Sequence, residues 1–230
     1  MRNFGNSKVN LMKAAFEFLF RNNNSNIKTH YTYFGRTKLK VLRWSINNRK
    51  QKSIRKKFID ENLDRELSDE NFIYFPLQVE PDRNLLLGAP DYTDQLKSIK
   101  EITRCLPNNY KLYVKEHPGQ NRTWRKIEFY KEILNLENVK LIHPSFPSKK
   151  IYEKCDLVIT AAGTSGFEAL FYGIPVITFA DTLYSDLTSV RKINSFSELE
   201  VTIKKLLEQK STPDELNGLL QLLKENSIDF

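Results

Sequence analysis

The stretch Cys155–Ala180, CDLVITAAGTSGFEALFYGIPVITFA, constrains the fold more than any other part of this chain. Asp156–Thr160 is a short apolar, partly β-branched run, which suits a strand buried on both faces. The turn Ala162-Gly163-Thr164-Ser165-Gly166 follows at its carboxyl end. Ser165 is placed to cap a short helix carrying Phe167, Ala169, Leu170 and Phe171, and Gly173 with Pro175 stops it. Val176–Phe179 then reads as the next parallel strand. In an open parallel sheet, ligands collect outside the carboxyl ends of the strands, and a helix N-terminus there offers free N–H groups to an anion such as a nucleotide phosphate. Ser165-x-x-Glu168 is also the spacing of a capping box, in which hydroxyl and carboxylate only satisfy orphan backbone donors. The glycines on either side of Thr164 and Ser165 fit close ligand approach or a turn with positive φ.

The surrounding sequence repeats the pattern. Strands are expected at Phe72–Leu77, Lys111–Lys115 and Val139–Ile142, with a weaker one including Val190 and Ile193. Helices are expected at Asp91–Leu106, Trp124–Leu134 and Ser148–Cys155, and two more follow at the end of the chain, each opened by a capping box, Ser197-x-x-Glu200 and Thr212-Pro213-x-Glu215. Alternation of this kind implies an α/β fold with a doubly wound parallel sheet, because successive right-handed crossovers put helices on both faces. Residues 71–230 are expected to form that domain, and residues 1–70 a basic helical arm ahead of it.

Charge separates the two. The whole chain of 230 residues carries +8, yet Phe18–Ile59 alone holds twelve Lys and Arg and no Asp or Glu, so the remainder is net acidic. Asn10–Arg21 suits an amphipathic helix with Leu11, Ala15, Phe18 and Leu19 on one side, and Asn22–Asn26 is a polar break. Lys38–Lys57 suits a second helix with Leu39, Leu42 and Ile46 on a stripe among basic residues. Such a helix lies on an anionic membrane surface, packs as a solvated face, or binds nucleic acid. Tyr31, Tyr33, Phe34 and Trp44 lie nearby, but no recognised nucleic-acid module surrounds them, and no nucleic-acid partner is expected. No apolar run approaches the roughly 20 residues of a membrane span, and no secretory signal is expected. Cys105 and Cys155 form neither a disulfide framework nor a zinc pattern, so a cytoplasmic location is expected, with peripheral contact at the inner membrane face through residues 18–59.

Three stretches with chemical potential fall at expected strand ends. Pro76-Leu77-Gln78-Val79-Glu80-Pro81-Asp82 holds two carboxylates on a proline-stiffened loop, and Lys115-Glu116-His117-Pro118-Gly119 brings cation, carboxylate and imidazole together. The third is the Gly163–Glu168 turn. His117 can donate to a phosphate or pass a proton to a leaving group, with Lys115 as a fixed charge beside it. His30 and His143 have no comparable setting. The chain lacks GxxxxGK[ST], GxGxxG and GxSxG, which argues against a P-loop hydrolase, a dinucleotide enzyme and an α/β-hydrolase, and leaves nucleotide-sugar enzymes as a leading class. The candidate loops hold no Asp-x-Asp pair and no His-Cys cluster, so no metal or cofactor is expected.

With these stretches in order, the chain resembles the capsule polysaccharide biosynthesis family, sugar transferases related to the bacterial Kdo transferases that use CMP-Kdo. The resemblance runs from about Phe72 to about Tyr184. It is carried by Tyr74-Phe75-Pro76-Leu77-Gln78 with Pro81-Asp82, by Leu112-Tyr113-Val114-Lys115-Glu116-His117-Pro118, and by Gly163-Thr164-Ser165-Gly166-Phe167-Glu168-Ala169-Leu170 with Gly173-Ile174-Pro175-Val176. It implies the Rossmann-like, C-terminal, nucleotide-binding half of a GT-B glycosyltransferase. It further implies that His117 and Pro118 hold the nucleotide phosphate, that Thr164, Ser165 and Glu168 grip phosphate and ribose, and that the loop with Glu80 and Asp82 faces the sugar. The implied partners are a CMP-linked sugar and a glycolipid or polysaccharide acceptor. Residues 1–70 are too short and too basic to supply a second Rossmann-like domain, so three expectations stay open: a truncated member, an acceptor half supplied by a partner, or lost catalysis. Two other readings stay open, a CDP-polyol phosphotransferase of the teichoic-acid type and a non-catalytic nucleotide-binding or export-associated protein.

Overall fold

The computed structural model describes residues 8–20, 38–80, 83–120, 125–209 and 213–225. The chain divides into two compact units, Met1–Lys56 and Lys57–Phe230.

The larger unit is built on six parallel strands, β1 (Phe72–Pro76), β2 (Lys111–Lys115), β3 (Val139–Ile142), β4 (Leu157–Thr160), β5 (Val176–Thr178) and β6 (Val190–Lys192), in the order β3-β2-β1-β4-β5-β6. The order reverses between β1 and β4, which makes their carboxyl ends the switch point where an open sheet leaves a crevice. All five residues of β1 are buried, as expected of a strand covered on both sides. Its side chains alternate between two cores. Ile73 and Phe75 pack with Val114, Ile159 and Ile177 under Ile99, Ile102, Ile133 and Ile203, whereas Phe72 and Tyr74 pack with Tyr113, Val158 and Val176 under Ile151, Leu170 and Leu216. Each fully buried side chain of this size contributes roughly 1.5–3 kcal/mol.

The covering helices are α3 (Arg83–Gly88), α4 (Gln95–Arg104), α5 (Ile127–Leu134), α6 (Ser148–Tyr152), α7 (Ser165–Leu170), α8 (Leu199–Leu207) and α9 (Pro213–Glu225), following α1 (Lys8–Phe20) and α2 (Lys38–Asn62) in the chain. The doubly wound α/β architecture is therefore as expected, with local corrections. Asp91–Leu106 is not one helix: a 3-10 turn at Pro90–Tyr92 precedes α4, because the Asp94 carboxylate accepts from the Lys97 amide at 3.0 Å and starts the helix there. Helix α3 has no counterpart in the expected pattern. Trp124 and Thr212 lie outside the described residues, so two expected helix starts do too. The cap before α8 is shifted by two residues. Ser195 accepts from the Ser197 amide at 3.2 Å and Glu198 accepts from the Asn194 amide at 3.2 Å, while Glu200 pairs with Lys204.

In the N-terminal unit, Val9, Met12, Phe16 and Phe20 of α1 are exposed. Of the side expected to be apolar, Ala15 is half-buried, and the side chains of Leu11, Phe18 and Leu19 lie outside the described residues. Leu39 and Ile46 of α2 are exposed and Leu42 is half-buried, so the expected stripe is not a packed face; basic neighbours leave it too thin to bury. The last turns of α2 already belong to the larger unit and pack into its core through Ile59, with Phe58 against it. Among the described residues, no helix is long and apolar enough to cross a membrane.

Candidate functional site

The loops after β1 and β2 rest on a buried ionic cluster. Arg125 is buried completely at its side chain. Its Nη1 donates to Glu116 Oε1 at 2.7 Å, and its Nη2 donates to the Gln78 carbonyl at 2.8 Å and lies 3.0 Å from Glu80 Oε1. Its guanidinium carbon sits 4.9 Å from the centre of the Phe129 ring, and its Nε is buried with no hydrogen-bond partner. Glu116 is fully buried; Oε1 also accepts the His117 amide at 2.6 Å, and Oε2 accepts the Tyr130 hydroxyl. Gln95 at the start of α4 accepts the Gln78 amide at 2.7 Å, donates to the Gln78 carbonyl at 3.2 Å and donates to Glu80 Oε1 at 2.5 Å. Gln120 completes the frame, accepting the Glu80 amide at 2.8 Å. Apart from Arg125 Nε, the charged and amide groups of the cluster named here have fixed partners, as burial requires.

Against that floor, His117 is exposed, and its Nδ1 accepts the Gly119 amide at 2.9 Å. In the neutral ring the proton then sits on Nε2, which leaves a donor for a ligand. Lys115 is 5% exposed and donates to Ser148 Oγ at 2.7 Å at the start of α6. Desolvation lowers its pKa, opposed by the attraction of Glu168. Glu168 itself is exposed; Oε2 accepts the Tyr152 hydroxyl at 3.1 Å and Oε1 accepts the Thr164 hydroxyl at 3.4 Å. Burial raises the pKa of Tyr152, an effect that neighbouring Ser165 opposes, and raises that of Tyr74, which Ser148 opposes. Lys115, Ser148, Tyr152, Ser165 and Glu168 thus belong to one polar cluster at the carboxyl edge of the sheet.

The turn between β4 and α7 differs from expectation in two respects. Thr164, not Ser165, stands at the N-cap, with no side-chain cap, so Ser165-x-x-Glu168 is not a capping box. Neither flanking glycine has positive φ; Gly173, which ends α7, does at φ 71°. The protein's own side chains crowd both glycines. A Cβ on Gly163 would lie 2.4 Å from Gln78 Nε2, and one on Gly166 would lie 2.5 Å from Tyr184 Oη. Tyr184 donates to the Gly163 carbonyl at 2.7 Å, and Thr160 Oγ1 accepts the Gly163 amide at 3.2 Å. The turn is clamped between the β1 loop and the segment after β5.

The two hollows beside this turn differ in character. A cleft of about 700 Å³ lies at the ends of β4 and β5, with Thr164, Phe167, Leu87, Leu183 and Leu223 in its wall, and a hollow of about 280 Å³ lies between Lys149, Tyr152, Glu168 and Tyr172. His117 and Pro118 are exposed at the end of β2, with β1 between them and the glycine turn. Glu80 is engaged by Arg125 and Gln95, and Asp82 lies outside the described residues. Sequence reasoning missed Arg125, Gln95, Gln120, Tyr152 and Tyr184. It also left His143 unassigned; the ring is buried, 3.0 Å from Asp60 Oδ1 and 2.6 Å from Ser145 Oγ, tying the end of α2 to the end of β3. Among the described residues, no group of three or more His, Cys, Asp or Glu is arranged to hold a metal ion.

A parallel sheet in this order, with its polar side chains gathered at the switch point, defines a Rossmann-like α/β protein. The model of the family described as capsule polysaccharide biosynthesis protein matches residues 3–211, and the chain belongs to that family. No curated protein matches the sequence. Among solved structures, the chain is similar to the UDP-GlcNAc 2-epimerase from Methanocaldococcus jannaschii at 14% identity and a TM-score of 0.48, covering 77% of this chain and 51% of that one. It is also similar to KpsC of Thermosulfurimonas dismutans, a beta Kdo 2,7 transferase, at 19% identity and a TM-score of 0.45, covering 77% and 61%. A third, TarM, matches at 18% identity and a TM-score of 0.46, covering 70% and 34%. The chain therefore spans between about a third and three-fifths of the length of these structures.

Proposed function

We propose that this chain binds a nucleotide-activated sugar, CMP-linked, at the carboxyl ends of β1, β2 and β4, for transfer to a lipid-linked or polysaccharide acceptor in capsule or surface polysaccharide synthesis. The observation that carries the reading is Lys115, a desolvated cation at the end of β2 in a cluster with Ser148 and the hydroxyl-bearing turn of α7. A buried ammonium with donors to spare favours an anion beside it, and membership of the capsule family supports reading that anion as a nucleotide phosphate. In the transfer, an acceptor hydroxyl attacks the anomeric carbon and the nucleotide phosphate departs. Lys115 and the Nε2–H of His117 neutralise the departing charge, Pro118 shapes the loop, and Thr164 and Ser165 present donors on a turn that Gly163, held by Thr160 and Tyr184, keeps in place. Glu168 faces the ribose, and the loop with Glu80 and Asp82 faces the sugar and the attacking hydroxyl. No metal ion enters this account. The basic segment Phe18–Ile59, nearly all of it in the N-terminal unit, holds the protein at an anionic membrane surface where lipid-linked acceptors reside.

Calorimetry tests the assignment with CMP, CMP-Kdo, CDP-glycerol and UDP-GlcNAc titrated in parallel into the intact chain, with and without EDTA. CMP and CMP-Kdo are expected to bind, undisturbed by EDTA. His117→Ala is expected to weaken binding by about 1.5–3 kcal/mol, the range for a hydrogen bond to a charged group. Unchanged affinity in a folded His117→Ala protein rejects the role of His117. Preference for CDP-glycerol moves the protein to polyol phosphate transfer.

A further inference from the structure

Arg125 does something that stability alone does not account for. Replacing a buried ionic cluster by apolar side chains of similar volume commonly costs little, so such a cluster is a weak device for stability. This one also leaves Nε of Arg125 buried without a partner. What the fork achieves is geometric. One nitrogen takes Glu116 Oε1, the same oxygen that accepts the His117 amide, and the other takes the Gln78 carbonyl and Glu80 Oε1. A single guanidinium thus ties the loop after β1 to the loop after β2 across the parallel pair. The next link is local. With its amide held, His117 begins a tight turn in which its carbonyl accepts the Gln120 amide at 3.0 Å and its Nδ1 accepts the Gly119 amide at 2.9 Å. The ring position and its tautomer follow from that turn.

We infer that Arg125 is a positioning residue for the candidate site: through Glu116 it fixes the turn that sets the His117 tautomer, and through Gln78 and Glu80 it holds the facing loop in register with it. This rests on the proposed role of His117 for its functional meaning, but not for its test. Lysine at position 125 keeps the charge and loses the planar fork, so it cannot serve Glu116 and Gln78 together.

The test is Arg125→Lys in the full chain, read by ¹⁵N-resolved spectra of the His117 ring at pH 8, with the signals assigned by their loss in His117→Gln. The unsubstituted chain is expected to show one neutral tautomer, protonated at Nε2. Arg125→Lys is expected to show both, together with about a tenfold loss of CMP affinity. A single Nε2–H tautomer retained in Arg125→Lys overturns the inference, whatever happens to the melting temperature, since it would make Arg125 a packing residue only. If the unsubstituted chain binds no nucleotide, the proposed function fails while the ring signals still decide the role of Arg125. Should Arg125→Lys not fold, hydrogen exchange of the unsubstituted chain decides. The Glu80 and His117 amides, held from the two sides of the cluster, are expected to open together with protection within about threefold; a difference of tenfold or more overturns the coupling.

Discussion

Glu70 shows how a single residue ties the far side of the sheet together. It lies just before β1, and its carboxylate meets Lys111 at 2.8 Å, Lys140 at 2.5 Å and the Tyr113 hydroxyl at 2.5 Å. Burial pushes its pKa up, but the hydrogen bonds from Lys111, Lys140 and Tyr113 outweigh that and hold it at about 2, against 4.5 for an ordinary glutamate. Because the folded value is the lower one, the unfolded chain binds the extra proton between these two values. The stabilisation from Glu70 is therefore complete above about pH 4.5 and is lost as the pH falls towards 2. The lysines are partly solvated, so the full shift overstates the effect, and about 1–2 kcal/mol is expected. Urea unfolding of Glu70→Gln and the unsubstituted chain at pH 2.5 and pH 6 checks it: the stability gap between the two proteins should be wide at pH 6 and narrow at pH 2.5. A gap that does not change with pH would mean that Glu70 contributes packing rather than charge.

At the scale of the element, the turn into α7 depends on side chains supplied by its neighbours. The nearest atom to a Cβ on Gly166 is the end of the Tyr184 side chain, but that hydroxyl is committed to the Gly163 carbonyl, and burial raises its pKa to about 12. Gly166→Ala is expected to destabilise by about 1–3 kcal/mol through overpacking. Combined with Tyr184→Phe, it should cost less than the sum of the two single changes, because the two act on one contact. Strict additivity in thermal unfolding would refute the contact. This turn also marks the limit of what the sequence discloses. Strands β1 to β5 were legible because each is a short apolar run bounded by turn residues, whereas the strand order that puts the switch point between β1 and β4 comes from the structure alone. The function of the glycines was not legible, since Gln78 and Tyr184 come from elsewhere in the chain and only tertiary packing brings them to Gly163 and Gly166. Arg125 was hidden for the same reason: it follows a polar run, Gln120-Asn121-Arg122-Thr123-Trp124, and reads as an ordinary loop cation until Glu116 and Glu80 close on it. Caps failed on a finer scale, because Ser195 and Ser197 precede Glu198 and Glu200 at equal spacing and local pattern does not choose between them.

For the whole molecule, the separation of charge is the property with the largest reach. Twelve basic residues without an acid between Phe18 and Ile59, all but Lys57 in the N-terminal unit, concentrate there any attraction of this chain of net charge +8 to an anionic surface. Helix α1 adds Val9, Met12, Phe16 and Phe20, all exposed and spaced at one face of a helix, so charge and apolar contact are available in the same unit. Each Lys or Arg close to an anionic bilayer is worth up to about 1 kcal/mol at moderate ionic strength, and a few engaged together give measurable association. That part must weaken as the Debye length shrinks from about 10 Å at 0.1 M salt to about 3 Å at 1 M, whereas insertion of the α1 face would not. Co-sedimentation with anionic and neutral vesicles at both salt concentrations, comparing the intact chain with one that starts near Asp60, separates these contributions. The intact chain is expected to bind anionic vesicles at low salt, to release most of them at high salt, and to ignore neutral ones; the shortened chain, first shown to be folded by circular dichroism, is expected to bind neither. Equal binding by both chains would assign the membrane contact to the sheet domain, and salt-resistant binding to neutral vesicles would assign it to the apolar face of α1 rather than to the basic charge.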